Sequence, residues 1–145
     1  MFELLTSNYI LNVAVLAWAT AQILKTALNY LSTKKFNFER LVGSGGMPSS
    51  HSAFVSAMAT ATLKHCGFSS PQFAIAFGIA AIVMYDAMGV RRAAGDQARV
   101  LNELTDIFTG DERFIDSKKL KELVGHTPLE VIGGAITGIL IATVF

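Results

Sequence analysis

Apolar residues fall into four blocks along the chain. The first runs from about Tyr9 to Leu31 and is broken only by isolated polar residues such as Asn12, Thr20 and Gln22, with Trp18 inside it. The second, about Ser50 to Leu63, is short and rich in Ala, Ser and Thr. The third, about Pro71 to Val90, contains FAIAFGIAAIVMYDAMGV, and the fourth runs from about Pro128 to Phe145. A membrane-spanning helix needs about 20 apolar residues, with a range of about 17–25. The first and third blocks meet that length, the fourth only just, and the second is expected to lie among the others or to insert in part. Small residues recur at Ala57, Ala59 and Ala61 and at Gly133, Gly134 and Gly138, where they allow membrane helices to approach closely. The pattern predicts an all-α integral membrane helical bundle. It has about four membrane-embedded helices and a polar cytoplasmic helical connection, in one domain over residues 1–145.

Three polar connections separate the blocks. Ser32 to Met47 is basic and then glycine-rich, and Lys64 to Ser70 is a short turn. Arg91 to Gly125 is long, and it opens with RRAAGDQARVLNEL, helical in composition apart from Gly95. The third helix is therefore expected to continue out into water. Asp111-Glu112-Arg113 and Ser117-Lys118-Lys119 read as a solvated hairpin or short helix. Composition supports a membrane protein. The chain is 52% hydrophobic and 16% charged, against about 25% charged in ordinary soluble domains, and its mean hydropathy is +0.46. A net charge of +1 offers nothing to a nucleic acid. Cys66 is the single cysteine, which excludes an internal disulfide and reads as a small buried or interfacial residue. Met1-Phe2-Glu3 provides neither a basic leader nor a cleavage site, so the first apolar block is expected to remain in the mature protein.

Charge then orients the bundle. With four spans, the first and third connections share one side. That side holds Lys34, Lys35, Arg92, Arg99, Arg113 and further cations, whereas Lys64 stands alone on the other. The positive-inside rule makes the crowded side cytoplasmic and puts both termini outside. Lys25, Arg40, His51, Asp86, Arg91, His126 and Glu130 all fall at that same face, although they are spread along the chain. Ionisable residues within spans are costly and default to functional roles.

Gly43-Ser44-Gly45-Gly46-Met47-Pro48-Ser49-Ser50-His51 leads into the second block. It reads as a loop that docks an anion and enters a helix. Glycine allows close backbone approach, Pro48 suits the first helical position, and Ser49 and Ser50 can cap free N–H groups. A helix N-terminus with spare N–H groups attracts anions, and His51 stands where it can protonate a phosphate ester. An ordinary capped helix with an interfacial histidine remains the alternative.

Pro48-Ser49-Ser50-His51 resembles the P-S-x-H motif of the type 2 phosphatidic acid phosphatase and vanadium haloperoxidase superfamily. Gly125-His126-Thr127-Pro128-Leu129-Glu130 resembles its H-x-x-x-D motif, with Glu in place of Asp. The strings GGMPSSHSAF, YDAMGVRRAAGDQA and GHTPLEVIGG are similar to the small divergent branch of that superfamily. The resemblance covers Gln22 to Gly134. Two departures stand out. The arginine that usually lies just before the nucleophilic histidine is matched by Arg91, with a long insertion between. The Lys…Arg-Pro motif is reduced to Lys25 and Arg40 without the proline.

The resemblance implies a metal-independent lipid phosphate phosphatase that needs no cofactor. His126 attacks phosphorus to form a phosphohistidine. Glu130 orients its ring. His51 protonates the leaving lipid oxygen and then activates water. Lys25, Arg40 and Arg91 neutralise phosphate, helped by Ser49, Ser50 and loop N–H groups. The chemistry suits these side chains. Neutral histidine is a nucleophile at physiological pH, phosphoryl transfer depends on positioning and charge, and arginine matches phosphate oxygens bidentately. Asp86 is read as a support that pairs with Lys25 or Arg91. Gln22 shares a helix face with Lys25, and Gln97 and Asn102 are further candidates to line the site. Thr127-Pro128-Leu129-Glu130 also fits a capping box, which gives Glu130 a second possible role, and Arg92 reads as peripheral. His65 lies at the opposite face.

The expected substrate is a membrane lipid phosphate within the bilayer: phosphatidic acid, phosphatidylglycerol phosphate, or an isoprenyl phosphate or diphosphate. Four short helices leave room for a homodimer. The rival readings are a non-enzymatic phospholipid or anion binder or transporter, a vanadate-dependent haloperoxidase, and a structural membrane protein. The last gives no reason for gathering Lys25, His51, Arg91 and His126 on one face.

Overall fold

A computed structural model describes residues 7–34, 46–109, 120 and 125–145, apart from the side chains of 106, 108 and 109. Those residues form five helices and no strand. They are α1 (Tyr9–Thr33), α2 (Ser50–Cys66), α3 (Pro71–Met88), α4 (Val90–Thr109) and α5 (Pro128–Val144). The architecture is the all-α bundle expected of the four apolar blocks.

Local chemistry sets most helix starts. Asn8 caps α1 by accepting from the Leu11 N–H, and Ser70 caps α3 by accepting from the Phe73 N–H, with Pro71 following in the first turn. The Thr127 hydroxyl accepts from the Glu130 N–H, and the Glu130 carboxylate accepts from the Thr127 N–H. Both halves of a capping box are thus closed. At α2 the expectation shifts by two residues. Pro48 does not occupy the first helical turn. Ser49 is the N-cap, accepting from the Ser52 N–H, and the helix opens at Ser50. Gly46 precedes it at φ 90°, a conformation that glycine adopts without strain.

The third apolar block also departs from a single run to Val90. Gly89 leaves helical geometry at φ −101°, ψ −91° and ends α3 by donating to the Tyr85 carbonyl. Its own carbonyl accepts from Ala93, so α4 restarts at once. Tyr9–Thr33 and the run Pro71–Thr105 are each long and apolar enough to cross a membrane, and Pro128–Val144 is a shorter apolar helix.

α2 is the hub, packing against α1, α3 and α5. Its contacts use small side chains. One cluster joins Val13 and Ala17 of α1 to Ala57 and Ala61 of α2 and Ala142 of α5. A second joins Val55 and Ala59 of α2 to Ala76 and Ala80 of α3. Gly134 and Gly138 set the closest approach. A methyl group at Gly134 would meet the Ser49 carbonyl, and one at Gly138 would meet the Ala53 carbonyl. Large apolar side chains point the other way: Ile82 of α3, Leu129 of α5 and Ile23 of α1 are all exposed. Small residues inside and large ones outside are the arrangement expected when hydrocarbon surrounds the bundle.

Candidate active site

Three helix ends meet at one end of the bundle. The Ser49 N–H donates to the Glu130 carbonyl (2.9 Å), tying the start of α2 to the first turn of α5. The His126 N–H donates to the Ala87 carbonyl (3.1 Å), tying the approach to α5 to the last turn of α3. Gly125 lies against the Arg92 backbone so closely that a Cβ would collide with it. These main-chain contacts bring His51 and His126 together from distant parts of the sequence. Their ring centroids are 6.3 Å apart and the planes are nearly perpendicular, at 79°.

His126 is 3% exposed, and neither ring nitrogen has a hydrogen-bond partner among the described residues. Burial pulls its pKa below the usual value of 6.5, because the charged form loses solvation. The Glu130 carboxylate opposes that shift, while His51, Lys25 and Arg91 reinforce it. The net effect keeps the imidazole neutral, with a lone pair available. Lys25 is 2% exposed and Gln22 is buried beside it on the inward face of α1. Arg91, one residue into α4, donates from Nε to Asp86 Oδ2 at 2.6 Å. That bond takes one edge of the guanidinium and leaves both Nη groups outside it.

Other candidates are placed differently. Ser49 and Ser50 are buried at the start of α2. The Ser49 hydroxyl accepts from the Ser52 hydroxyl (3.0 Å) as well as the Ser52 N–H (3.4 Å). It therefore serves the helix start and does not face outward as an anion donor. The Glu130 carboxylate is engaged by the Thr127 N–H (3.0 Å) and makes no hydrogen bond to His126. Of the two roles open to it, this geometry is the cap. Gln97 is exposed on α4, six residues and about 9 Å of helix beyond Arg91, so it falls outside the cluster. Asn102 instead clasps the backbone of Leu120, donating to its carbonyl and accepting from its N–H, both at 3.0 Å. Arg40 lies outside the described residues. Cys66 is exposed at the end of α2.

Sequence reasoning passed over a cavity of about 360 Å³ at His51, lined by Val15, Trp18, His51, Phe54, Val55, Val83 and Arg91. A signal for part of it existed: Val15 and Trp18 are three apart and share one face of α1.

Residues 6–141 match the divergent PAP2 family. The chain is also 41% identical over 155 residues to the "Uncharacterized membrane protein YuiD" of Bacillus subtilis (strain 168), a match that covers 98% of this chain and 96% of the relative. No solved structure matches the chain.

Proposed function

Because the chain belongs to the divergent PAP2 family, a family of phosphatase-related membrane proteins, we propose that it is a lipid phosphate phosphatase working through a phosphohistidine. The observation that carries this reading is the pairing of His126 with His51. One ring is buried with neither nitrogen partnered among the described residues, and a second lies 6.3 Å away. Two imidazoles at that spacing can address opposite sides of one phosphoryl group. A buried ring without partners is also costly unless a ligand supplies them.

In the first step a His126 ring nitrogen donates its lone pair to phosphorus, and the bond from phosphorus to the lipid oxygen breaks. The departing oxygen takes a proton from His51. In the second step the now neutral His51 takes a proton from water, the hydroxide attacks phosphorus, and the bond to His126 breaks. Phosphate leaves and both histidines return to their starting states. Lys25 and the free edge of Arg91 balance the charge on the phosphoryl oxygens. Asp86 holds Arg91 in position. The charge asymmetry of the connections supports a site on the cytoplasmic face. A reporter fused to the C-terminus should therefore be active outside the cytoplasm.

The capping geometry of Glu130 favours a second reading, in which the same pocket binds a phospholipid or anion without turnover. Phosphate release by protein purified in detergent separates the two. Phosphatidic acid, phosphatidylglycerol phosphate and a polyprenyl diphosphate are offered with chelator present, to wild type and to His126→Ala. Release by wild type alone supports the phosphatase. Equal release by both proteins overturns the nucleophile. Binding without release by wild type favours the binder.

A further inference from the structure

The cavity at His51 has two chemically distinct parts. His51 and Arg91 form one end. Val15 and Trp18 of α1, Phe54 and Val55 of α2 and Val83 of α3 form the rest, all of them apolar. Its direction follows from the helices. His51 opens α2, and Val55 lies four residues, about 6 Å, further in. On α1, Val15 lies ten residues, about 15 Å, inward of Lys25. The cavity thus runs from the charged end of the bundle toward its apolar middle, between α1 and α3 and over α2. A lipid takes the same course, with its phosphate at the interface and its chain in hydrocarbon. At about 360 Å³ the cavity lies near the lower limit for ligand pockets, which suits one chain.

The geometry points to this cavity as the seat of a single hydrocarbon chain, attached through a phosphate ester to the group held at His51 and Arg91. This inference rests on the lipid phosphate reading above and narrows its substrate class. A second chain of a diacyl lipid would remain outside, against the exposed faces of the bundle. Trp18 is the wall residue with the largest side chain and the one expected to sense the occupant.

The chain contains one tryptophan, at the cavity wall and 42% exposed, so its fluorescence reports on the cavity and on the surrounding detergent, which a brominated decanol control separates. The probe is a decylphosphonate carrying bromine at mid-chain, which cannot be hydrolysed at its P–C bond. Added to protein in detergent, it should quench Trp18 saturably. Unlabelled decylphosphonate should displace it at far lower concentration than butylphosphonate. The expected gain approaches fourfold per methylene, as for transfer of a methylene from water to an apolar site. Decanol brominated at the same carbon enters micelles without a phosphate mimic, and should quench at least tenfold less at equal concentration. Val83→Phe narrows the cavity without touching Trp18 and should weaken quenching by the phosphonate about tenfold or more. Equal quenching by the decanol, or no chain-length dependence of displacement, overturns the chain seat. Both arms use wild-type protein, so the result does not depend on how Val83→Phe folds. The two readings also fail separately. Phosphate release without selective quenching keeps the phosphatase and removes the seat, whereas selective quenching without phosphate release does the reverse.

Discussion

The pair formed by α2 and α5 is finished differently at its two ends. At the end away from the histidines, Lys64 in the last turn of α2 donates from Nζ to the carbonyls of Ala142 (2.8 Å) and Thr143 (3.3 Å). These are carbonyls that the end of α5 would otherwise leave open. The Tyr9 ring lies against His65 there, with centroids 6.1 Å apart. At the other end the caps are equally complete, yet His126 is buried with neither nitrogen partnered among the described residues. An unsatisfied buried polar group costs about 1–3 kcal/mol. A fold able to satisfy α5's last carbonyls with a lysine from another helix leaves His126 open at the opposite end. On the proposed function, the contrast separates polar residues that complete the fold from polar residues held for a ligand. Substitutions at the two ends should therefore fail in different ways.

After the loss of the nucleophile itself, the largest effect is expected at His51. His51→Ala removes the proton donor for the leaving oxygen and should reduce turnover of an alkyl phosphate by about 10²–10⁴-fold, the usual contribution of general acid catalysis. An ester with an acidic phenol as leaving group needs no proton, so its first step should lose far less. A burst of phenol followed by slow phosphate release would locate His51 in both steps. Equal losses in the first step on both esters would assign His51 to binding and blur the distinction between the ends.

Next comes the seam that joins the ends. Gly134→Ala drives a methyl group into the Ser49 carbonyl. That carbonyl belongs to the cap residue of α2, and the Ser49 N–H is bonded to Glu130, so little can yield. Overpacking of this kind typically costs about 1–3 kcal/mol. The midpoint of thermal unfolding in detergent should fall, and phosphate release should fall with it because the histidines separate. An unchanged midpoint would show that α2 and α5 can move apart without loss.

Much of this arrangement was legible in the chain. The starts at Tyr9, Ser50, Pro71 and Pro128 rest on local signals: an apolar block, and Ser-Pro or Thr-Pro entries at α3 and α5. Those signals act within one turn, and nothing distant overrides them. Pro48 was misplaced because the same local rule allows proline before the cap as well as after it. The break at Gly89 lay inside an apolar run whose periodicity gives no warning. Glu130 presented two roles with one spacing, and only the position of its carboxylate distinguishes them. The bonds from Ser49 to Glu130 and from His126 to Ala87 join residues far apart in sequence through the main chain, which carries no side-chain signature. The cavity at Trp18 requires three helices to be placed before it exists.

A smaller effect should come from the support beneath Arg91. Asp86→Asn keeps the shape but removes the charge that fixes the guanidinium at Nε. Both side chains are partly exposed, which limits the loss. Turnover should fall about tenfold or less, with KM rising more than kcat falls if Arg91 mainly holds phosphate. Arg91→Lys should lose more, because one ammonium cannot present the same fork. A greater loss for Asp86→Asn than for Arg91→Lys would mean that Asp86 acts on the substrate itself.

The pH profile comes next in size. An ordinary histidine with pKa 6.5 would be about nine-tenths protonated one unit below it, and a protonated His126 has no lone pair to give. Its lowered pKa moves that loss to more acidic pH. Formation of the phosphoenzyme should therefore drop by less than tenfold between pH 7.5 and 5.5, and fall steeply only below. Rapid-quench measurement of phosphohistidine formed from the ester with an acidic phenol, whose departure needs no proton, isolates this step from both roles of His51. A tenfold or larger drop over that window would mean that His126 is not held neutral by its burial.

The smallest effect on catalysis is expected at Lys64. Lys64→Met keeps the aliphatic stem that covers the end of α5 but removes both hydrogen bonds to its carbonyls. A protein hydrogen bond is worth about 0.5–1.5 kcal/mol net, and Lys64 is exposed, so water can replace part of what is lost. The unfolding midpoint should drop slightly. Hydrogen exchange should quicken at the last turns of α2 and α5, while phosphate release measured well below the midpoint stays within twofold of wild type. The histidines lie at the far end of two helices of 17 residues each, about 25 Å away along the axis. Fraying of one terminal turn has no path to them while Gly134 and Gly138 keep the helices in contact. A large loss of turnover in Lys64→Met, with an unchanged midpoint, would show that the two ends are coupled, and Lys64 could no longer be assigned to the fold alone.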